Sequence, residues 1–222
     1  MRITSIFLNV YQRYRFICVL TFLCVVSSPV QAGMIDKEGM APWEICGLCH
    51  SLDGVSVMAK FPKLAGQKAA YIKKQFIDFH QEIRTNDGGQ MVAITTEVDM
   101  QTVDAIADYF SGLNPPSAKP KDELESDYTL GMTLFNEGKK VNERKGELLP
   151  ACVSCHGFDQ SSAPWLYAQH SAYILKQLRD FASEERRNDE GNVMRKIASM
   201  LSESEMSAIA DYLAVTQPRL PD

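Results

Sequence analysis

Cys46-Gly-Leu-Cys49-His50 recurs as Cys152-Val-Ser-Cys155-His156, so the chain carries two copies of a C-x-x-C-H motif. Each copy limits what can fold around it. Two thiols three residues apart lie on one side of a helical turn, where they can add to the two vinyl groups of one haem. The adjacent histidine then lies under the iron as an axial ligand. The expected cofactors are therefore two covalently bound haem c groups, one on Cys46, Cys49 and His50, the other on Cys152, Cys155 and His156. Paired C-x-x-C zinc sites bring their second pair within about twenty residues. Here Cys152 lies 103 positions after Cys49, and each pair has its own histidine. A thioredoxin-like pair would follow a strand in a βαβ context, which this chain does not show.

Residues 1–32 hold Arg2, Arg13 and Arg15 but no acid, then the apolar run Phe16–Val26 and a Val30-Gln-Ala32 end. This is the pattern of a secretory signal peptide cut after Ala32. The apolar run has 11 residues, short for a bilayer span, although an uncleaved N-terminal anchor is the alternative. No later segment is a candidate span. Cleavage would leave 190 residues of formal charge −8, against −5 for the whole chain of 222, and would remove Cys18 and Cys24. All four remaining cysteines then lie in the two motifs, with no thiol left for a structural disulfide. Nucleic acid and anionic membrane are poor partners for so acidic a chain.

The two halves repeat each other well beyond the motifs. The stretch from Pro62 through Leu64, Gln67, Tyr71, Ile72, Gln75 and Asp78 to Phe79 matches Pro164, Leu166, Gln169, Tyr173, Ile174, Gln177, Asp180 and Phe181 at an offset of 102. Ala105-Ile-Ala-Asp-Tyr109 matches Ala208-Ile-Ala-Asp-Tyr212 at an offset of 103. Residues 33–113 and 126–222 are expected to form two domains, with the proline-rich, charged stretch 114–125 as a linker over the surface. The periodicity is helical throughout: Val103, Ile106, Ala107 and Phe110 share one face, as do Met206, Ile209, Ala210 and Leu213, and Ser202-Glu-Ser-Glu205 reads as a capping box. A domain of this size buries a modest apolar core, so attached haem would supply much of the interior.

The second iron ligand should recur at equivalent positions. Counting back from the terminal helices at the offset of 103, Met91 falls on Met194, whereas Met100 falls on Glu203 and Met200 on Glu97. In that frame Arg84 falls on Arg187. Each methionine follows a polar, glycine-containing loop, so Met91 and Met194 are the candidate axial ligands, with packing as the alternative role. His80 and His170 find no repeated partner and read as surface residues. Pro62 and Pro164 do repeat, and each carbonyl could accept the Nδ1–H of a proximal histidine; a plain turn proline fits the spacing equally well.

C-x-x-C-H followed by P-x-L-x-x-Q, then Tyr, a loop methionine and an I-A-D-Y helix, twice over, resembles the tandem di-haem class I cytochromes c of the cytochrome c4 type. The likeness covers nearly all of residues 33–222. It implies an all-α chain of two tandem class I cytochrome c domains, each wrapped around one haem with His/Met ligation: His50 with Met91 and His156 with Met194. It also implies single-electron transfer in the periplasm of a Gram-negative bacterium, by a monomer with no catalytic residues. The partners would be redox proteins such as a quinol-cytochrome c reductase, a terminal cytochrome oxidase or a periplasmic dehydrogenase, with peripheral membrane association left open. Two departures stand out. Ala168 occupies the position where the family favours glycine before the glutamine, and Pro42 interrupts any helix ahead of Cys46, whereas Tyr128–Phe135 supplies that helix in the second half, with Gly131 allowing close approach by the C-terminal helix. Rival readings are a haem enzyme such as a di-haem peroxidase, and a tightly bound electron-accepting subunit of a dehydrogenase. Finally, Lys60, Lys63, Lys68, Lys73 and Lys74 cluster after the first motif and are expected to stay wet or to steer an acidic partner, with the surroundings of Trp165 and Tyr167 as the alternative docking area.

Overall fold

The structure is a computed structural model that describes residues 37–120, 128–142, 147–157 and 163–217. The expected signal peptide at 1–32 and the 121–125 part of the expected linker lie outside the described residues. Four helices build the first half: α1 (Glu44–His50), α2 (Ala69–His80), α3 (Gln90–Thr96) and α4 (Val103–Ser111), the last entered through a 3-10 turn at Met100–Thr102. The second half repeats the plan with α5 (Tyr128–Glu137), α6 (Val153–His156), α7 (Ser171–Ala182), α8 (Val193–Ala198) and α9 (Glu203–Ala214). Among the described residues the chain is all-α, as expected, apart from one hairpin. β1 (Lys139–Asn142) and β2 (Glu147–Leu149) pair antiparallel between α5 and α6, where a wholly helical reading had no strand.

Each half has its own core. Ile72, Phe76, Val103, Ile106, Ala107 and Phe110 close the first, where α2 meets α4. Ile174, Leu178, Met206, Ile209, Ala210 and Leu213 form the matching part of the second, to which α5 adds Leu134 and Phe135. Ser202 caps α9 as a full capping box, its hydroxyl accepting from the Glu205 N–H and the Glu205 carboxylate accepting from the Ser202 N–H. A Cβ at Gly131 of α5 would run into the Ala208 carbonyl and the Tyr212 side chain, so only glycine permits this helix crossing. In the first half no described helix plays the part of α5. Instead Trp43 stacks on Tyr109 of α4, ring centroids 4.7 Å apart and 6° from parallel.

The long helices α2 and α7 carry two stripes one residue apart. Ile72 and Phe76, and likewise Ile174 and Leu178, face their own core, with Phe79 and Phe181 buried at the end of each stripe. Tyr71, Gln75 and Asp78 face the other half, as do Tyr173, Gln177 and Asp180. There every contact is made twice with the halves exchanged, the self-complementarity of an isologous interface. Arg84 donates to Gln75 Oε1 (2.7 Å), Gln177 Oε1 (2.9 Å) and the Tyr173 hydroxyl (3.2 Å). Arg186 donates to Gln177 Oε1 (2.8 Å), Gln75 Oε1 (2.9 Å) and the Tyr71 hydroxyl (3.1 Å). Asn86 reaches Asp180 and Asn188 reaches Asp78, while Lys74 donates to the Asn188 carbonyl (3.0 Å) and Lys176 to the Asn86 carbonyl (2.6 Å). Both guanidiniums are buried, and each rests on a phenylalanine of the helix that precedes it, Phe79 or Phe181, at 4.5 Å from the ring centroid.

This network corrects the arginine register. Arg84 pairs with Arg186, not Arg187, because the offset stays at 102 through Asn86 and Asn188, and the extra residue enters only in the turn that precedes α8. Arg187 is exposed and bonds the Glu184 carbonyl.

Candidate functional site

The first C-x-x-C-H motif lies on α1 and the second on α6 with Cys152 as its N-cap, and both short helices end on the histidine. Pro42 precedes α1, and the Ala41 N–H donates to Glu44 Oε2 (2.8 Å), closing the helix start. After α1 the chain folds back on itself, with the Gly54 carbonyl accepting from the N–H groups of Leu64 (2.8 Å) and Ala65 (3.1 Å). That closure brings the Pro62 carbonyl to 2.8 Å from His50 Nδ1. In the second half the Pro164 carbonyl lies 3.0 Å from His156 Nδ1. A carbonyl can only accept, so each Nδ1 carries the proton and each Nε2 keeps its lone pair. Burial pushes both imidazoles below their ordinary pKa, and the proline carbonyls only partly oppose this. Both rings are therefore neutral at physiological pH.

Cys46, Cys49, Cys152 and Cys155 form no disulfide. Burial pushes the Cys46 and Cys152 thiols up to about 11. Cys46 borders the first core and Cys152 the second. Among the described residues no three His, Cys, Asp or Glu side chains gather as a bare metal ion would require. A neutral imidazole with a free Nε2 lone pair, carried on the same turn as two thiols, is the donor set that a covalently attached haem needs, so the residues present fit that group.

Met91 and Met194 are half-buried and occupy the second position of α3 and α8, on a helix start and not on the preceding loop. The loops still set their place: Gly89 and Asn192, the residues before the two helices, both adopt left-handed backbone. Met194 packs against the second core. Met100 is exposed, and Met200 packs partly buried against the second core.

Several sequence expectations fail because polar side chains find partners inside the molecule, some of them in the opposite half. His170 is buried, not on the surface, and its Nε2 lies 2.8 Å from the Ser56 carbonyl of the first half. His80 is half-buried, with Nδ1 3.1 Å from the Thr95 carbonyl. The lysine cluster is largely spent within the molecule. Lys63 is buried and donates from Nζ to the Ala168 carbonyl (2.6 Å), Lys68 lies 4.3 Å from the Trp165 ring centroid, Lys73 pairs with Asp104 (2.5 Å), and Lys74 pairs with Asp78. Lys60 alone of the five rests over a ring of its own loop, Phe61, at 4.6 Å. Trp165 and Tyr167 are half-buried, the first against Lys68 and the second edge-on to Phe135 at 5.5 Å, so they are not an open apolar docking area. The sequence reading missed Asn86, Asn188 and Arg186 as interface residues. The available signal was the polar stripe of Tyr71, Gln75 and Asp78 that repeats as Tyr173, Gln177 and Asp180 beside an apolar one.

The chain is similar to several known proteins. A family model for cytochrome c matches residues 131–217. The chain is 35% identical over 181 residues to a cytochrome c4 from Pseudomonas aeruginosa, covering 79% of this chain and 85% of that one. It is 32% identical over 174 residues to a thiosulfate dehydrogenase electron acceptor from Stutzerimonas stutzeri, covering 76% of this chain and 77% of the relative. The crystal structure of reduced recombinant cytochrome c4 from Pseudomonas stutzeri superposes with a TM-score of 0.64 at 31% identity, over 78% of this chain and 94% of that one. With two C-x-x-C-H helices, two all-α halves and these relatives, the chain belongs to the cytochrome c4 family, di-haem electron-transfer cytochromes that carry two covalently bound haem c groups.

Proposed function

We propose that Cys46, Cys49, His50 and Met91 hold one haem and Cys152, Cys155, His156 and Met194 the other, within domains spanning 33–113 and 126–222. The observation that carries this is the pair of buried, neutral histidines, each with Nδ1 committed to a proline carbonyl and Nε2 left to bind. When bound, each haem supplies one electron by cycling its iron between ferrous and ferric states. The protein fixes the imidazole tautomer and ring orientation through Pro62 or Pro164, and the carbonyl bond raises the basicity of Nε2. Were Met91 and Met194 to supply the second ligand of each iron, their thioethers would favour the ferrous state and leave no position for a substrate, which would make the function electron carriage without substrate chemistry.

The secretory pattern of residues 1–32 and the cytochrome c4 relatives support action in the periplasm. No described helix is long and apolar enough to cross a membrane. The partners are redox proteins. A dehydrogenase that passes electrons to this chain as its acceptor subunit is the second reading, supported by the relative named as a thiosulfate dehydrogenase electron acceptor.

A pyridine haemochrome assay on full-length protein matured with the cellular haem-attachment system should give two c-type haems per chain, and fewer than two would overturn the ligation. Met91→Ala and Met194→Ala should each abolish the near-infrared sulfur-to-ferric-iron band of one haem and lower its potential. Met100→Ala should leave both bands intact.

A further inference from the structure

The histidine-supporting peptide of each half is held by a glutamine of the other half. Pro62 C=O and Lys63 N–H belong to one peptide unit; the carbonyl accepts from His50 Nδ1, and the N–H donates to Gln169 Oε1 (2.9 Å) across the interface. Gln169 Nε2 returns a bond to the Lys63 carbonyl (2.9 Å). The mirror image is complete. The Pro164–Trp165 peptide accepts from His156 at its carbonyl and donates from the Trp165 N–H to Gln67 Oε1 (3.0 Å), while Gln67 Nε2 donates to the Trp165 carbonyl (3.0 Å). The amide orientations are fixed by these partners, because a backbone N–H can only meet Oε1 and a carbonyl only Nε2. Each Oε1 also accepts from the backbone N–H of the next residue, Lys68 (3.0 Å) or His170 (3.0 Å), at the start of α2 or α7. Both glutamines are buried, and both lie just ahead of the long helix that carries the rest of the interface.

A peptide unit whose N–H is engaged becomes a better acceptor at its carbonyl, because hydrogen bonds in series polarise one another. A stronger Pro62 acceptor draws the His50 Nδ1 proton further from the ring and raises electron density at Nε2. Higher donor strength favours ferric iron and so a lower reduction potential. The chain from Gln169 to His50 has two hydrogen bonds and one peptide, and the chain from Gln67 to His156 is its equal.

We infer that Gln169 is a positioning residue for the haem on His50, and Gln67 for the haem on His156, so that each half sets the potential of the other half's haem through a peptide relay. This rests on the ligation proposed above. It makes the contact between the halves part of the redox site itself.

The test uses the full-length, haem-loaded protein with Gln169→Leu and Gln67→Leu, following each haem by its own hyperfine-shifted methyl resonances through a redox titration. Gln169→Leu should raise the potential of the His50 haem and leave the His156 haem closer to wild type, and Gln67→Leu should do the reverse. Gln169→Asn keeps the amide but is one methylene short of the Lys63 peptide, and should shift the same haem in the same direction if the leucine variant does not fold. Equal shifts in both haems would reveal a loosened interface in place of a relay and would overturn the inference. So would a shift confined to the haem of the mutated half, or no shift. Loss of a haem from the wild-type protein in the haemochrome assay would instead strike the ligation alone.

Discussion

Ala168 sits at φ +54°, where its counterpart Gly66 sits at +67°. Both N–H groups bond the C-terminal helix of their half, Gly66 to the Phe110 carbonyl (2.9 Å) and Ala168 to the Leu213 carbonyl (2.8 Å). The departure from glycine in the second half therefore leaves the turn intact, at a left-handed cost of about 1 kcal/mol that the surrounding packing sustains. The reverse exchange should not be tolerated as well. A Cβ at Gly66 would lie 2.8 Å from Pro115, so Gly66→Ala should destabilise by about 2 kcal/mol, read as a lowered urea midpoint with unchanged slope. Gly88→Ala, at φ +73° with open space around it, should cost about half as much. His170 gives a pH-dependent case. Burial first, then the charges of Lys63 and Lys119, hold its pKa below the ordinary 6.5, against the opposing bond to Ser56. The folded state therefore binds fewer protons than the unfolded chain, and this part of the stability is lost as pH falls below 6.5. The stability difference between wild type and His170→Gln should shrink between about pH 7 and about pH 5; a difference independent of pH would mean that the imidazole does not titrate there.

Helices α4 and α9 have nearly the same sequence but different surroundings. Ala208 and Asp211 of α9 are buried at 1% and 7% exposure, whereas their counterparts Ala105 and Asp108 of α4 are exposed. For Ala208 the difference is α5, which crosses α9 at Gly131; Asp211 instead accepts from the Ser171 hydroxyl at the start of α7, whose counterpart Ala69 has no donor. Gly131→Ala should force the helices apart and cost about 3 kcal/mol, visible in thermal denaturation. The stretch after α4 is also less free than a surface linker. Its Pro116 is buried, the Lys119 N–H bonds the Ala214 carbonyl (3.0 Å) at the end of α9, and the Ala118 N–H bonds Gln217 (2.8 Å). Proline and charge in sequence show that this stretch forms no helix, but not that it lies against both halves.

Across the whole molecule, the interface brings two buried guanidiniums onto two shared glutamine oxygens, so neither half can satisfy its own arginine alone. Arg84→Met should leave Gln75, Gln177 and Tyr173 short of a donor and cost about 3 kcal/mol. Arg186→Met should behave alike. The double variant should cost clearly less than the sum, because both changes dismantle one network and remove two like charges; an additive result in urea denaturation would mean that the two arginines act independently.

Haem attachment, the repeat, the all-α class and the family were legible in the chain because each is carried by local residue types at fixed spacing: thiols and imidazole on one turn, apolar residues at helical period, and matching runs in two halves. The long-range contacts were not. The same Lys63 and His170 that read as wet surface in a single half become buried once the second half is set against the first. Whether a polar residue meets water or a partner depends on distances between segments about a hundred residues apart, which spacing along the chain does not encode. Ala168 stood out in the sequence as a departure from glycine, but the cost of alanine in a left-handed turn depends on what packs around it. The tertiary structure decided which arginine belonged to the repeat, where the methionines sit at their helix starts, and which half supports each histidine.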